Sequence, residues 1–247
     1  MGLLVLLIAA TSSQATTLVR QSLGEQIDRA ELIFEGSVVH IETVVTSKTG
    51  YPFTLVTFEV DRTYKGERPT TGQLTLRFTG GDTDDIFAYI PSVPRFALGG
   101  RHLLFVAGNT KALCPLVGWS QGKLDFRQHP ESGAALLVDH DGWPVTGIAD
   151  DDWMRADQAL AADGYWKVHR SAGIVLLGQE GVEVTEVAPQ NAARAIDLPL
   201  ADTVLGDLSA RIQAQQKRAS YRQPVPVVSA TAADVPPTVL NLKGGAR

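Results

Sequence analysis

The sequence predicts a mainly β protein, an antiparallel barrel or sandwich extended on its C-terminal side by further strands and one amphipathic helix. Three observations predict it. Residues 32–66 are two long β-rich runs around a turn. Short apolar runs then recur between Gly, Pro and Asp turns as far as residue 148. Near the C-terminus, Leu205, Leu208 and Ile212 repeat at i, i+3 and i+7, the spacing of one helix face.

Taken in order, residues 16–20 are short and β-like. Ser22 and Glu25 have the S-x-x-E spacing of a capping box, so residues 23–29 should form a short helix. Residues 32–45 (LIFEGSVVHIETVV) form the first strand. The doubled pairs Val38-Val39 and Val44-Val45 break its alternation and mark candidate bulges. Residues 47–50 make the turn, with Gly50 free to take positive φ. The return strand, 53–63, alternates cleanly. Thr54, Val56, Phe58, Val60 and Arg62 form the face whose middle is core-facing, and Phe53, Leu55, Thr57, Glu59 and Asp61 form the other. Tyr64-Lys65-Gly66 ends it.

A third strand is expected at 73–78. The nearly continuous apolar run at 101–107 (RHLLFVA) should be central in its sheet. Residues 113–119, 123–127, 134–139 and 143–148 are further short strands, with turn chemistry at Gly118, Gly122 and Asp141-Gly142. Beyond Ala149 the pattern weakens. A short helix is expected at 151–163, a hairpin from 172–177 and 182–187, and the amphipathic helix at 202–219, with Lys217 and Arg218 at its C-terminal end.

Residues 1–15 (MGLLVLLIAATSSQA) carry the apolar core and small-x-small cleavage pattern of a signal peptide, with the cut between Ala15 and Thr16. The usual basic residues before the apolar core are absent. Eight apolar residues, 3–10, are too few for a bilayer, which needs about 20. The expected location is therefore periplasmic or secreted, with no stable membrane span after cleavage. The expected organisation is a β domain over 16–148, a mixed α/β extension over 149–220 packing on it, and a disordered tail over 221–247, where Pro224, Pro226, Pro236 and Pro237 sit among small residues. The net charge of −5, with no basic run, speaks against nucleic-acid binding. Cys114 is the only cysteine, so an intramolecular disulfide is impossible, and its apolar neighbours suit a buried inert thiol.

Three stretches together carry a resemblance: Leu-Ile-Phe-Glu-Gly-Ser-Val-Val at 32–39, Phe58-x-Val60-x-x-x-Tyr64-Lys65-Gly66, and Gly100-Arg101-His102-Leu103-Leu104-Phe105. Over about residues 16–119 their order resembles the netrin-module and tissue-inhibitor-of-metalloproteinases superfamily. That resemblance implies an OB-type five-stranded barrel and a binding module rather than an enzyme. Inhibitors of that superfamily chelate zinc through an N-terminal cysteine and are stapled by disulfides. Here Thr16 is the expected mature N-terminus and Cys114 stands alone, so the resemblance carries the fold without that inhibitory chemistry.

Motifs that carry chemistry are few. His40, His102, His129, His140 and His169 show no zinc-binding spacing. Gly118-Trp119-Ser120-Gln121-Gly122 has the spacing of a nucleophile elbow but leads into a strand rather than a helix, so a turn is the better account. The acidic groups Asp82/Asp84/Asp85, Asp139/Asp141 and Asp150/Asp151/Asp152 match no calcium loop, and the last suits a helix N-cap. No catalytic, cofactor or metal residue is assigned, and no cofactor is expected. The irregular stretch 79–98 is the candidate partner-binding loop, with Gly80, Gly81, Asp82, Asp84, Asp85, Pro91 and Pro94. The favoured expectation is an exported, non-enzymatic module docking a protein partner, a protease-inhibitor-like one included. Two alternatives stand beside it. One is an envelope hydrolase or metal-dependent enzyme built from distant residues such as His102, His140 and Asp82. The other is a structural or accessory envelope protein.

Overall fold

A computed structural model describes residues 19–46, 50–84, 86–129, 133–156, 198–218, 227 and 229–231. The elements are α1 (Leu23–Arg29), β1 (Leu32–Val45), β2 (Pro52–Lys65), β3 (Gln73–Thr79), β4 (Gly81–Asp82), β5 (Phe87–Ala88), β6 (Arg101–Val106), β7 (Lys123–Gln128), β8 (Ala135–Val138), β9 (Val145–Ala149), β10 (Asp152–Arg155) and α2 (Ala201–Arg218), with one 3₁₀ turn at Trp119–Gly122. The chain is mainly β, as its composition of strands and turns implies.

Six strands form one antiparallel sheet in the order β3-β2-β1-β6-β7-β8. Among the described residues it does not close into a barrel. Its edges are β3 and β8, because β7 takes β8 as its outer partner rather than returning to β3. The free edge of β3 is covered in another way. Asn109 accepts the Arg77 amide at 3.1 Å and donates to the Thr75 carbonyl at 2.9 Å, standing in for a neighbouring strand. The Thr79 amide bonds to the Leu113 carbonyl at 3.0 Å, and the Ala230 amide bonds to the Thr75 carbonyl at 2.8 Å. An edge so covered offers few bare amides for pairing with another chain.

Both faces of the sheet are buried around β6 and the first half of β1. On one face Phe34, Val38, Val56, Phe58, Leu76, Phe78 and Leu104 pack together with Cys114 and Leu116. On the other, Ile33, Leu103, Phe105 and Leu124 pack under α1, the β9–β10 hairpin and α2. β1 and β6 alternate between the two cores, which is why 101–106 is apolar at nearly every position. The Ser22–Glu25 capping box is present, with both reciprocal bonds made. α2 buries Val204, Leu205, Leu208 and Ile212 into the second of these cores, so the helical stripe does face inward.

Several local expectations are corrected. Residues 113–119 are not a strand. They make a string of turns with one isolated bridge, Leu116 to Val106, before the 3₁₀ turn. Residues 152–155 are β10 rather than the start of a helix, and Asp150-Asp151 form the two-residue hairpin loop before it, at φ 47° and 66°. Both loop residues at positive φ is the pattern of a type I′ turn, which matches the twist of a hairpin. Asp151 still serves a helix, though a distant one. Its carbonyl accepts the Gly24 amide at 3.4 Å, and its carboxylate pairs with Arg211 of α2. The β9–β10 hairpin straddles residue 148. Val227 packs on the Phe58 core and Ala230 is buried, so the expected tail is not free of the core at these residues. The expected hairpin at 172–187 and the signal segment 1–15 lie outside the described residues.

Gly36 tests the central ladder. A Cβ there would fall 2.4 Å from the Glu59 carbonyl oxygen, a backbone atom with no room to retreat. Alanine in a strand is otherwise favoured over glycine by roughly 0.5–1 kcal/mol, and overpacking costs about 1–3 kcal/mol. The clash should win, so Gly36→Ala lowers the midpoint of thermal unfolding, read by circular dichroism. An unchanged or raised midpoint would contradict this packing.

Candidate functional site

The first cleft is built by an irregularity in β1. The β1–β2 register pairs Val38 with Phe58 and His40 with Thr57, leaving Val39 without a partner. This is one of the two doubled pairs the sequence marks as bulges; Val44 and Val45 pair regularly. The bulge shifts the alternation by one. Ile41 and Thr43 thereby join the face that carries Phe34 and Val38, while His40 turns to solvent. With Thr54, Val56 and Phe78 they form one wall of a cleft of about 180 Å³.

The 79–98 loop forms the other wall. β3 leaves the sheet at Gly80, where φ is 97° and a Cβ would sit 2.7 Å from the Ala88 carbonyl oxygen. Gly81 passes so close to the strands that a Cβ would meet Thr43 at 2.7 Å. Thr54 Oγ1 donates to the Gly80 carbonyl at 2.9 Å and fixes the crossing. β4 and β5 then pair as a minimal hairpin. The Val93 amide closes a turn to the Ile90 carbonyl at 3.2 Å, with Pro91 second in the turn and Ser92 at φ 67°, as a type II turn requires.

Gly80, Gly81, Asp82 and Pro94 line this cleft; Pro91 shapes the loop without lining it. Asp84 is exposed in the Thr83–Ile86 turn, and Asp85 lies outside the described residues. Sequence reasoning missed the two residues that organise the loop. Phe96 plugs it into the sheet, with its ring 5.3 Å from Phe58, 5.0 Å from Phe78 and 5.1 Å from His102. Arg95 points the other way, its guanidinium 5.2 Å from the Phe87 ring centre and 5.5 Å from that of Tyr89. Both rings are 57% exposed. The alternation Phe87-Ala88-Tyr89 was the available signal, since two aromatics one residue apart on a strand share a face.

His102 and Asp125 face each other across the β6–β7 ladder, with Nδ1 to Oδ1 at 2.6 Å. Lys123 Nζ lies 2.6 Å from the same oxygen, and Arg127 lies 3.6 Å from Oδ2. Among the described residues Nε2 of His102 has no hydrogen-bond partner, and Phe96 packs edge-on against the buried ring. Burial lowers the His102 pKa below 6.5, against the pull of Asp125. Burial alone would raise Asp125, but the His102 hydrogen bond and the Lys123 charge hold it well below the usual carboxylate range. The pair ties two strands together and offers no nucleophile.

A second cleft, of about 540 Å³, shares no lining residue with the first. Ser120, His140 and Asp141 line it, yet Ser120 Oγ makes no hydrogen bond to His140 among the described residues. His102, His140 and Asp82 do not converge: Asp82 lines the first cleft, His140 the second, and His102 neither. Asp139, His140 and Asp141 could place ligand atoms within 4.8 Å of one another. Asp139 is already engaged. Its Oδ1 accepts the amides of Asp141 and Trp143 at 3.0 and 2.9 Å, and its Oδ2 pairs with Arg155. This carboxylate templates a turn and is tied to Arg155. Cys114 is buried, and its thiol is pushed up to about 12. No helix among the described residues is long and apolar enough to cross a membrane. No protein-family model, curated protein or solved structure matches the chain.

The His102 geometry has a pH signature. Because its folded pKa lies below 6.5, the unfolded chain binds the proton first as pH falls. Stability should therefore be full above pH 6.5 and decline below it, by on the order of 1 kcal/mol per pH unit at most. His102→Gln keeps a donor for Asp125 and removes the titration. Its unfolding midpoint should change less than wild type between pH 7 and pH 5. Identical slopes would show that the proton is taken up elsewhere.

Proposed function

We propose that the chain is an exported binding module that docks a segment of a partner protein at the 79–98 loop. One observation carries this reading: Phe87 and Tyr89, two exposed aromatic rings, are braced by Arg95 beside a cleft of about 180 Å³. Small-molecule sites run to roughly 300–1,000 Å³. A cleft below that range suits a single apolar side chain of a partner, and exposed aromatics with an arginine are the residues that dominate protein interfaces. Arg95 has no carboxylate partner among the described residues, so an acidic residue on the partner would complete it.

The loop is also suited to its work mechanically. Gly80, Gly81, the Pro91 turn and the Phe96 plug hold it in one shape, which lowers the ordering cost of binding. In this reading the chain binds and does not catalyse. A protease-inhibitor-like form of the docking would act through this loop and not through Cys114, whose thiol is buried and protonated. The netrin-like, OB-type kinship stays part of the proposal. Its support is the bulged β1–β2–β3 meander with β6 on the other side of β1. Export rests on the pattern of residues 1–15. Mass spectrometry of the mature protein should find Thr16 at its N-terminus, and an intact Met1 would contradict cleavage.

Selection from a random linear-peptide phage library on the purified protein tests the docking. Enriched peptides should pair an apolar residue with a nearby acidic one. Arg95→Glu and Phe87→Ala should each weaken them at least about tenfold, without moving the unfolding midpoint, because both side chains lie on the surface. No enrichment, or peptides indifferent to both substitutions, would defeat the proposal.

A further inference from the structure

The second cleft has a size and a lining that the docking loop does not explain. At about 540 Å³ it falls within the roughly 300–1,000 Å³ of small-molecule sites. Its walls are held by polar contacts made within the protein. On one side the Gln121 amide clasps the chain before α1, donating to the Val19 carbonyl at 3.0 Å and accepting the Gln21 amide at 2.9 Å. On the other side Asp139 shapes the turn between β8 and β9, and Arg155 of β10 locks it. Trp153 belongs at once to the lining and to the hydrophobic core, its ring 6.3 Å from Phe105.

The charges narrow the ligand. Arg20 pairs with Asp152 and Arg155 with Asp139, so neither arginine is free for a phosphate or carboxylate. Asp141 is the lining carboxylate without an arginine among the described residues. Its side chain is 65% exposed, so solvent screens it, and the two arginines of the same cleft oppose a bound cation. Anions and cations are both poorly served. What remains is a dense set of planar groups that donate and accept hydrogen bonds, with the half-buried indole of Trp143 beside them and Trp153, 6% exposed, backing the wall.

We propose that this cleft binds a neutral saccharide. Sugar hydroxyls both donate and accept, which matches carboxylate, amide and guanidinium groups already held in place by ion pairs and backbone hydrogen bonds. The apolar face of a pyranose ring matches an indole. Asp141 and Trp143, on the β8–β9 turn, are the side chains assigned to the ligand; Arg155 and Asp139 position that turn. Ser92 of the docking loop lines this cleft, but the proposal does not rest on docking at that loop.

The test is calorimetric titration of the purified protein with maltotriose, cellotriose, chitotriose and galactobiose, alongside inorganic phosphate and putrescine as the anionic and cationic controls. At least one sugar should bind with micromolar to millimolar affinity, and neither control should. Asp141→Asn and Trp143→Ala should each weaken that sugar at least about tenfold, while Arg95→Glu in the docking loop leaves it unchanged. Asp141 lies on the rim, so its substitution keeps the test valid should Trp143→Ala disturb folding. Binding of phosphate or putrescine alone, no binding by any sugar, or a sugar indifferent to Asp141→Asn would overturn the proposal.

Discussion

Between Val38 and His40 the β1–β2 ladder slips by one residue, and the rest of the sheet is arranged around that slip. Without it, strict alternation would carry His40 and Glu42 onto the face occupied by Phe34 and Val38 and turn Ile41 and Thr43 away. The cleft would then be walled by an imidazole and a carboxylate. With it, the strand keeps apolar residues toward the core before the bulge and toward the cleft after it. A single extra residue thus converts the second half of a core strand into one wall of a binding surface. Two further shifts, where β2 passes Asp61 and Tyr64, work the other way. They bring Tyr64 to the opposite face, where its hydroxyl donates to Glu35 at 3.1 Å.

Burial on both faces gives the sheet a problem that its charges answer. Glu35 is 4% exposed, in a strand that has no solvent side at that point. It is served by Tyr64 and by Arg101, whose Nε donates at 2.8 Å and whose guanidinium lies 4.2 Å from the Phe126 ring centre. Asp125 is served in the same way by His102 and Lys123. Such pairs add little net stability compared with apolar residues of equal volume. They do penalise misalignment. A one-residue slip of β6 against β1 or β7 would leave a carboxylate buried without its partner, a cost of about 3–5 kcal/mol. An open sheet of many similar apolar strands needs such markers of register more than a closed barrel does.

The same physics separates what was legible from what was not. The bounds of α1 and β1 were readable because they rest on local chemistry: a capping box, and a long β-branched run. The central place of β6 was readable from its lack of alternation. The end of the sheet was not. Whether β7 returns to β3 or accepts β8 is decided by what covers the β3 edge, and that is the side chain of Asn109 together with residues 229–231. Asp150-Asp151 misled for a related reason. Acidic residues before a polar stretch suit a helix cap, but here their tolerance of positive φ makes a hairpin, and the capping is done across space at Gly24. In the candidate site, the glycines and Pro94 were visible as irregularity. The division of labour between Phe96 and Arg95, one facing in and one facing out, appears only when the loop is laid on the sheet.

The two clefts differ in what holds them open. The docking loop is shaped by backbone constraint: glycines at close approach, a proline turn and an aromatic plug. Its surface carries exposed aromatic rings and Arg95, which has no carboxylate partner among the described residues, and it has little volume. The second cleft is shaped by polar side chains that bond to the backbone, Gln121 on one wall and Asp139 on the other. Its volume is larger and its charges are nearly all internally paired. A surface of the first kind gains from excluding water at a few anchors, whereas one of the second kind gains by exchanging water for a ligand that bonds equally well in many directions. They are therefore suited to different ligands. They share no lining residue, yet the elements that build them meet: Ser92, in the Pro91 turn of the docking loop, lines the second cleft, and the β6–β7 ladder lies between the two. There Phe96 from the loop rests on His102, and His102 is bonded to Asp125, one residue from Leu124 in the second cleft. A change in the loop that withdraws Phe96 would expose His102 to solvent. That makes this ladder, with Ser92 beside it, a physical route by which occupation of one cleft can be felt at the other.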